Sequence, residues 1–477
     1  MASTETNYKP GDYILQYVGI IGTSGEKINI VDQIIELNIY QSIDSPNMSG
    51  DIVIADNAAS AELLPIIGQE RLLFTLRTPG FGETDQVNFE TYHAVVSNVS
   101  ERFASTDATQ VFRLEFVTPE TYSNGRTKVS QSFKGELSTI VEEIFRDKNY
   151  LNSKKKLFVE KTKGISTFVS PNLRPFQVIG HLAEQSISDE DQHSSYVFFE
   201  NSRGYHFRSF DSLMGKSIGG TITPTSKVYK LQPSTDSSEK VEHRKDSILD
   251  MQLVNSFDTL GSTKVGLFGS TLLYHDVFNK NVLKKEFNYF SDGKVRSVMT
   301  NDNKVNSSQI ASETSIDGKT FGDWPESRIF LHSTSSDNLH TEGIDNNADE
   351  WLQYSASRYY EQDYHQLQVL TYGDTSLCAG DIVQVQIPSS KRKDKTPNPS
   401  TYDPVLSGRY LVADLKHSIN PSAGLHGMTL RLIKDSVQNA YSKQSLDFGD
   451  PSAGGTVTIS SRDYKTASEV NSLQAKL

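Results

Sequence analysis

Two strand-rich stretches, residues 13–117 and 365–437, bracket a middle in which the apolar period changes, and this pattern restricts the fold more than any other feature. In the second stretch Val383, Val385 and Ile387 alternate with Gln384 and Gln386, the two-residue period of a strand with one buried face. In the first, Ile35, Leu37 and Ile39 alternate likewise, and Ser45-Pro46-Asn47-Met48-Ser49-Gly50 turns the chain into Asp51-Ile52-Val53-Ile54. Further strands are expected at 71–77, 89–100 and 110–117. With Thr78-Pro79-Gly80-Phe81-Gly82 among the turns, this spacing predicts a small barrel or sandwich. The later stretch divides into strands at 365–372, 381–387, 408–419 and 427–436.

Between them the period becomes helical. Leu137, Ile140, Val141, Ile144 and Phe145 form one apolar stripe. A second helix is expected to open at Arg174-Pro175, with proline in its favoured first turn. A hairpin follows, its arms at 196–200 and 205–208. Residues 232–246 read as a charged linker, 247–345 as a mixed region with a Ser/Asn/Thr-rich loop at 301–320, and 348–364 as a helix. The polar stretch from about 441 to 477, with Gly449, Pro451, Gly454 and Gly455, reads as an extended docking arm.

The 477 residues suggest about three domains. Hydrophobic residues make up only 36%, yet 23 Phe and 21 Tyr oppose intrinsic disorder, so a folded chain with much polar surface is expected. The net charge of −12 lacks the basic footprint of a protein that grips phosphates. A single cysteine, Cys378, forbids an intramolecular disulfide and fits assembly in a reducing cytoplasm. No signal peptide and no membrane span are expected.

No motif assembles a catalytic, metal or cofactor site. Gly215-Lys216-Ser217 resembles the end of a phosphate-binding loop, but position 210, where that loop needs glycine, is Phe. The 11 histidines are scattered; His332 and His340 lie eight apart without a third ligand nearby in sequence. Ser24 lies in a hairpin-like Gly22-Thr23-Ser24-Gly25, which is not a nucleophile elbow. The basic run Lys391-Arg392-Lys393-Asp394-Lys395, between Pro388 and Pro397, reads as a solvated loop tip. Catalytic, cofactor-binding and metal residues are therefore expected to be none, and the chain is expected not to be an enzyme.

Several segments in order resemble the central baseplate hub proteins of T-even-like contractile-tailed phages. They are Ser45 to Gly50; Leu64-Pro65-Ile66-Ile67-Gly68-Gln69-Glu70; the helix opening Leu173-Arg174-Pro175-Phe176; Gly373-Asp374-Thr375-Ser376-Leu377-Cys378-Ala379-Gly380-Asp381-Ile382-Val383; and the closing strands from Gly408 and Met428. The resemblance implies a mainly β fold with some helix (α+β): two tail-tube-like β-barrels, an inserted mixed domain and an extended tail. The expected domains are 1–118, a first barrel completed by 195–231; 119–194, a helical segment associated with the second barrel; 232–346, the insertion; 347–440, the second barrel; and 441–477, the tail. It further implies a homotrimeric ring of pseudo-sixfold symmetry in a virion's tail baseplate, assembled in the host cytoplasm. Implied partners are the central spike, tail tube and tube-initiator proteins, the tape measure protein and wedge proteins, with genomic DNA passing through the lumen without specific binding. A glycan-binding adhesin and a tail-associated hydrolase are the alternatives.

Overall fold

The computed structural model describes residues 8–23, 25–56, 67–80, 85–106, 109–190, 194–214, 227–231, 245–256, 258–276, 280–292, 315–316, 319–333, 348–362, 365–389, 402–403 and 405–435. The docking arm at 441–477, the basic run at 391–395, Gly215-Lys216-Ser217, Ser24, His340, most of the 232–246 linker and most of the 301–320 loop lie outside these.

The first barrel region comprises β1 (Val18–Ile21), β2 (Lys27–Asn29), β3 (Ile34–Ser42), β4 (Ser49–Asp56), β5 (Arg71–Arg77), β6 (Gln86–Asn88), β7 (Ala94–Thr106) and β8 (Thr109–Val117). The ladder runs β2-β1-β5-β7-β8-β4-β3, with β6 beside β5. Inward residues alternate along each strand, so Leu37, Ile39, Ile52, Ile54, Phe74, Leu114 and Phe116 meet in one core. Gly50 is required there, since a Cβ would fall 2.2 Å from the Phe116 ring and 2.4 Å from the Asn38 carbonyl.

The mixed segment holds α1 (Pro119–Arg126), β9 (Ser132–Gly135), α2 (Leu137–Arg146), β10 (Leu157–Val159), β11 (Ser166–Val169), α3 (Pro175–Gln185), β12 (Tyr196–Asn201), β13 (Gly204–Ser209) and α4 (Phe210–Met214). The stripe on α2 packs against α3 and the β12–β13 hairpin, burying Ile140, Phe145, Ile179, Phe198 and Tyr205 together. The hairpin turns through Ser202-Arg203. Gly204 takes φ +138°, where a Cβ would strike the Lys156 carbonyl at 2.5 Å.

The remainder comprises β14 (Lys227–Leu231), β15 (Ser247–Ser256), α5 (Thr259–Val265), β16 (Gly269–Asp276), β17 (Asn281–Asn288), β18 (Ser315–Ile316), β19 (Lys319–Thr320), β20 (Ile329–Ser333), α6 (Ala348–Gln362), β21 (His365–Tyr372), β22 (Ile382–Gln386), β23 (Gly408–Asn420) and β24 (Leu425–Ile433). Six of these close on themselves in the order β14-β15-β21-β24-β23-β22, a barrel around Tyr229, Val369, Val383, Val385, Tyr410, Val412 and Leu430. The chain is thus mainly β with helices, as expected. The first region curls around its core without such closure among the described residues. Its last strand, β3, pairs instead with β23, so both regions share one continuous sheet.

Two expected boundaries need correction. Residues 195–231 do not complete the first barrel: β12 and β13 pair with each other and with β10, while β14 enters the second barrel. The insertion expected at 232–346 contains a second-barrel strand, β15. Register shifts between Ile248 and Asp250 and between Leu253 and Asn255 break its alternation, which hides the strand in the sequence. The strand expected at 89–100 runs instead from Ala94 to Thr106.

Candidate functional site

Because directly opposed residues share a face, the β3–β23 seam carries one outer surface across eight strands, β7-β8-β4-β3-β23-β24-β21-β15. One row reads Asn98–Glu115–Asp51–Asn38–Ser418–Gly427–Tyr372. The next reads Val117–Ser49–Tyr40–Lys416–Thr429–Leu370–Asp250. Ser42, Asp414, Arg431, Gln368 and Gln252 form a third, and Ser100, Arg113, Val53 and Glu36 a shorter fourth. The opposite side of these strands is the apolar core of the first region and of the second barrel.

The arginines of this face are already neutralised. Arg113 donates to Asp51 at 3.1 Å and to Glu101 at 2.9 Å. Asp51 also accepts from the Tyr40 hydroxyl at 2.7 Å and from the Asn38 amide at 3.1 Å, leaving little of it exposed. Burial and that bond to Asp51 push the Tyr40 phenol well above its ordinary value. Across the seam Arg431 binds Asp414 and Asp44, and Asp414 accepts from Ser42 at 2.6 Å. Burial opposes the charge on Arg431, but its two carboxylates hold its proton more firmly than usual. Lys416 sits 5.7 Å from the Tyr40 ring centre. The four rows carry the acids Glu115, Asp51, Glu36, Asp414 and Asp250 against Arg113, Lys416 and Arg431, so the surface is polar and net negative.

The described parts of the segments singled out in the sequence make turn and core contacts. In the 373–383 segment, Asp374 accepts from the Ser376 amide at 2.9 Å and its hydroxyl at 2.7 Å, and Leu377 and Val383 enter the barrel core. Asp381 accepts from the Cys378 amide at 3.0 Å and takes both arms of the Arg203 guanidinium at 2.6 and 2.8 Å. Thr375 exchanges hydrogen bonds with Thr78 at 3.0 and 3.1 Å, stitching this turn to the first barrel region. Glu70, the end of the 64–70 segment, accepts from the amides of Ile67, Gly68 and Gln69 at 2.7, 2.9 and 3.1 Å. Leu64, Pro65 and Ile66 lie outside the described residues. The Cys378 thiol is buried and pushed up to about 11 by that burial, which makes it a poor nucleophile.

Two buried charge clusters escaped the sequence reading. Lys155 bridges Glu120 at 2.8 Å and Glu200 at 2.6 Å, and Glu200 also accepts from the Met48 amide and the Thr118 hydroxyl of the first barrel region. Its place at the end of the apolar run Tyr196-Val197-Phe198-Phe199 was the available signal. Arg358 on α6 meets Asp211, Glu361 and Asp435. Each cluster ties separate elements together. His332 packs between Tyr274 and Trp351. Among the described residues no three His, Cys, Asp or Glu converge as metal ligands, and no helix is long and apolar enough to cross a membrane.

No family model matches the chain, and no curated protein matches it. Among solved structures, a tail protein from Neisseria meningitidis is similar at 12% identity, with a TM-score of 0.52 over 89% of this chain and 97% of that one. A 43 kDa tail protein of prophage MuSo2 from Shewanella oneidensis gives 10% identity and a TM-score of 0.47 over 88% and 98%. A type VI secretion component of E. coli gives 10% and 0.37 over 86% and 76%. The chain therefore shares the fold of the Neisseria tail protein along almost the whole length of that structure.

Proposed function

We propose that the chain is the hub subunit of a contractile-tail baseplate in a virion. Three copies form a ring that joins a hexameric tail tube to a trimeric central spike, with tape measure and wedge proteins as further neighbours. The observation that carries this reading is the β3–β23 pairing, which joins the curled first region and the closed second barrel of one chain in a single sheet. Three such chains present six β units, two per chain, the count a sixfold tube requires, while keeping the threefold symmetry of a spike. The similar Neisseria protein is a tail protein, and its fold matches along nearly its full length.

The eight-strand face is the surface that would line the channel. Its arginines are bracketed by carboxylates and its balance is acidic, so a passing DNA chain finds little counterion-release affinity and slides. The role is structural and the subunit carries out no reaction. Light scattering of the purified protein, alone and with its spike, tests the proposal. Three chains per particle are expected in at least one condition, and a strict monomer in both refutes the ring.

A further inference from the structure

In the three-stranded sheet β10-β13-β12, strand β12 forms one edge. β13 turns the Tyr205 amide and the Phe207 carbonyl toward β10, where they meet Lys156 and Glu160. Its alternate residues His206 and Arg208 therefore bond to Phe199 and Val197 opposite them. The Phe210 amide reaches the Ser195 carbonyl at 3.1 Å in the same register. Tyr196 and Phe198 thus aim their backbone groups away from β13, at an edge with which no described strand pairs. Both residues line a groove of about 500 Å³ whose walls include faces of α3 and α6.

Two features of this groove serve no contact within the chain. Ser195, where β12 begins, is 4% exposed, and its hydroxyl has no partner among the described residues. It also takes φ +133°, a region that disfavours a side chain, and such strain concentrates where ligands are held. Gly180 lies in the middle of α3, where only proline is less favourable, yet a Cβ there would meet nothing within 4 Å. The glycine keeps the groove open. The charges in the lining are acidic: Arg431 already holds Asp44, whereas the exposed Glu184 has His181 only at 4.0 Å.

We infer that the groove receives an extended segment of a partner polypeptide, which adds as a strand to the β12 edge. A row of unpaired backbone donors and acceptors complements another extended backbone. Apolar side chains of that segment sit beside Gly180, Trp351 and Tyr359, which line the groove, and a lysine or arginine meets Glu184. The Ser195 hydroxyl takes a backbone group at the end of the added strand.

The test uses the full chain carrying Trp324→Phe, which leaves Trp351 in the groove as the only tryptophan. The probe is a hexapeptide of alternating valine and lysine. Its control is the same peptide N-methylated at every amide, which cannot donate to a strand edge. The parent peptide should shift the Trp351 fluorescence saturably, and the methylated one should bind at least about tenfold more weakly. Gly180→Leu fills the groove and Glu184→Lys reverses its charge; each should weaken the parent peptide at least about fivefold, and thermal melts verify that both variants fold. Ser195→Gly should weaken it about threefold without lowering the melting temperature, since glycine accepts φ +133°. Equal affinity for the two peptides, or a Gly180→Leu chain that binds as its parent does, overturns the inference. So does a Gly180→Leu chain whose mass by light scattering changes without peptide, because the groove then holds a second copy of this chain.

Discussion

Arg358 Nη1 lies 3.0 Å from Asp435 Oδ2, tying the helix that precedes β21 to the second residue after the last barrel strand. The same guanidinium holds Asp211 at 3.1 Å and Glu361 at 2.7 Å, with every side chain in the group at most 5% exposed. Burial opposes the charge, but three carboxylates hold the guanidinium well above its ordinary value. Arg358→Met strands those carboxylates in the interior. It should cost about 3–5 kcal/mol by urea denaturation, and a loss below about 1 kcal/mol would show the cluster to be solvated.

Acid should destabilise the protein. Burial pushes His206 and His365 down to about 3 and His426 to about 4, and holds His417, which also faces His426, well below its ordinary range. The unfolded chain takes up these protons near pH 6.5 and the folded chain does not, so stability falls as pH drops from about 6.5 toward 4. Glu200 acts oppositely, because burial raises its carboxyl and favours folding as pH falls, but one group does not offset four. A loss of more than about 2 kcal/mol between pH 7 and pH 5 is expected from urea melts. A flat profile would mean that the histidines are hydrated.

Gly50→Ala should cost about 1–3 kcal/mol, because the new methyl meets the Phe116 ring and the Asn38 carbonyl between two paired strands. Differential scanning calorimetry reads the shift. An unchanged melting temperature would show that β4 and β8 can separate to admit it.

The Ser45 to Gly50 segment is legible in the sequence because its turn chemistry is local, although Gly50 itself is required by the Phe116 ring across the β4–β8 pair. The alternation at Val383, Val385 and Ile387 is legible for the same reason: one face meets the barrel core. The bulged β15 is not, since two register shifts scatter its apolar positions over both faces. Nor is Arg358, whose partners Asp211 and Asp435 lie 147 and 77 residues away and leave no periodic trace. The seam pair Asp44–Arg431, separated by 387 residues, emerges only once β3 pairs with β23.

Freeing the face's cations should make it adhesive to DNA. Asp44→Asn with Asp414→Asn releases Arg431, and Asp51→Asn with Glu101→Gln releases Arg113. The combined variant should retain double-stranded DNA on filters at low salt. Its log-log salt slope should steepen by about 0.9 for each phosphate newly contacted. Retention no greater than that of the wild type would remove the surface from any role in DNA passage.

The ring itself is tested most directly by an electron cryo-microscopy reconstruction of the full chain bound to its spike. Three copies around an open channel are expected, with Tyr40, Arg113, Lys416 and Arg431 on the lumen wall and the first region and second barrel of each copy alternating around it. A single copy on the spike, or a ring whose lumen is lined by another face of the chain, would contradict the account.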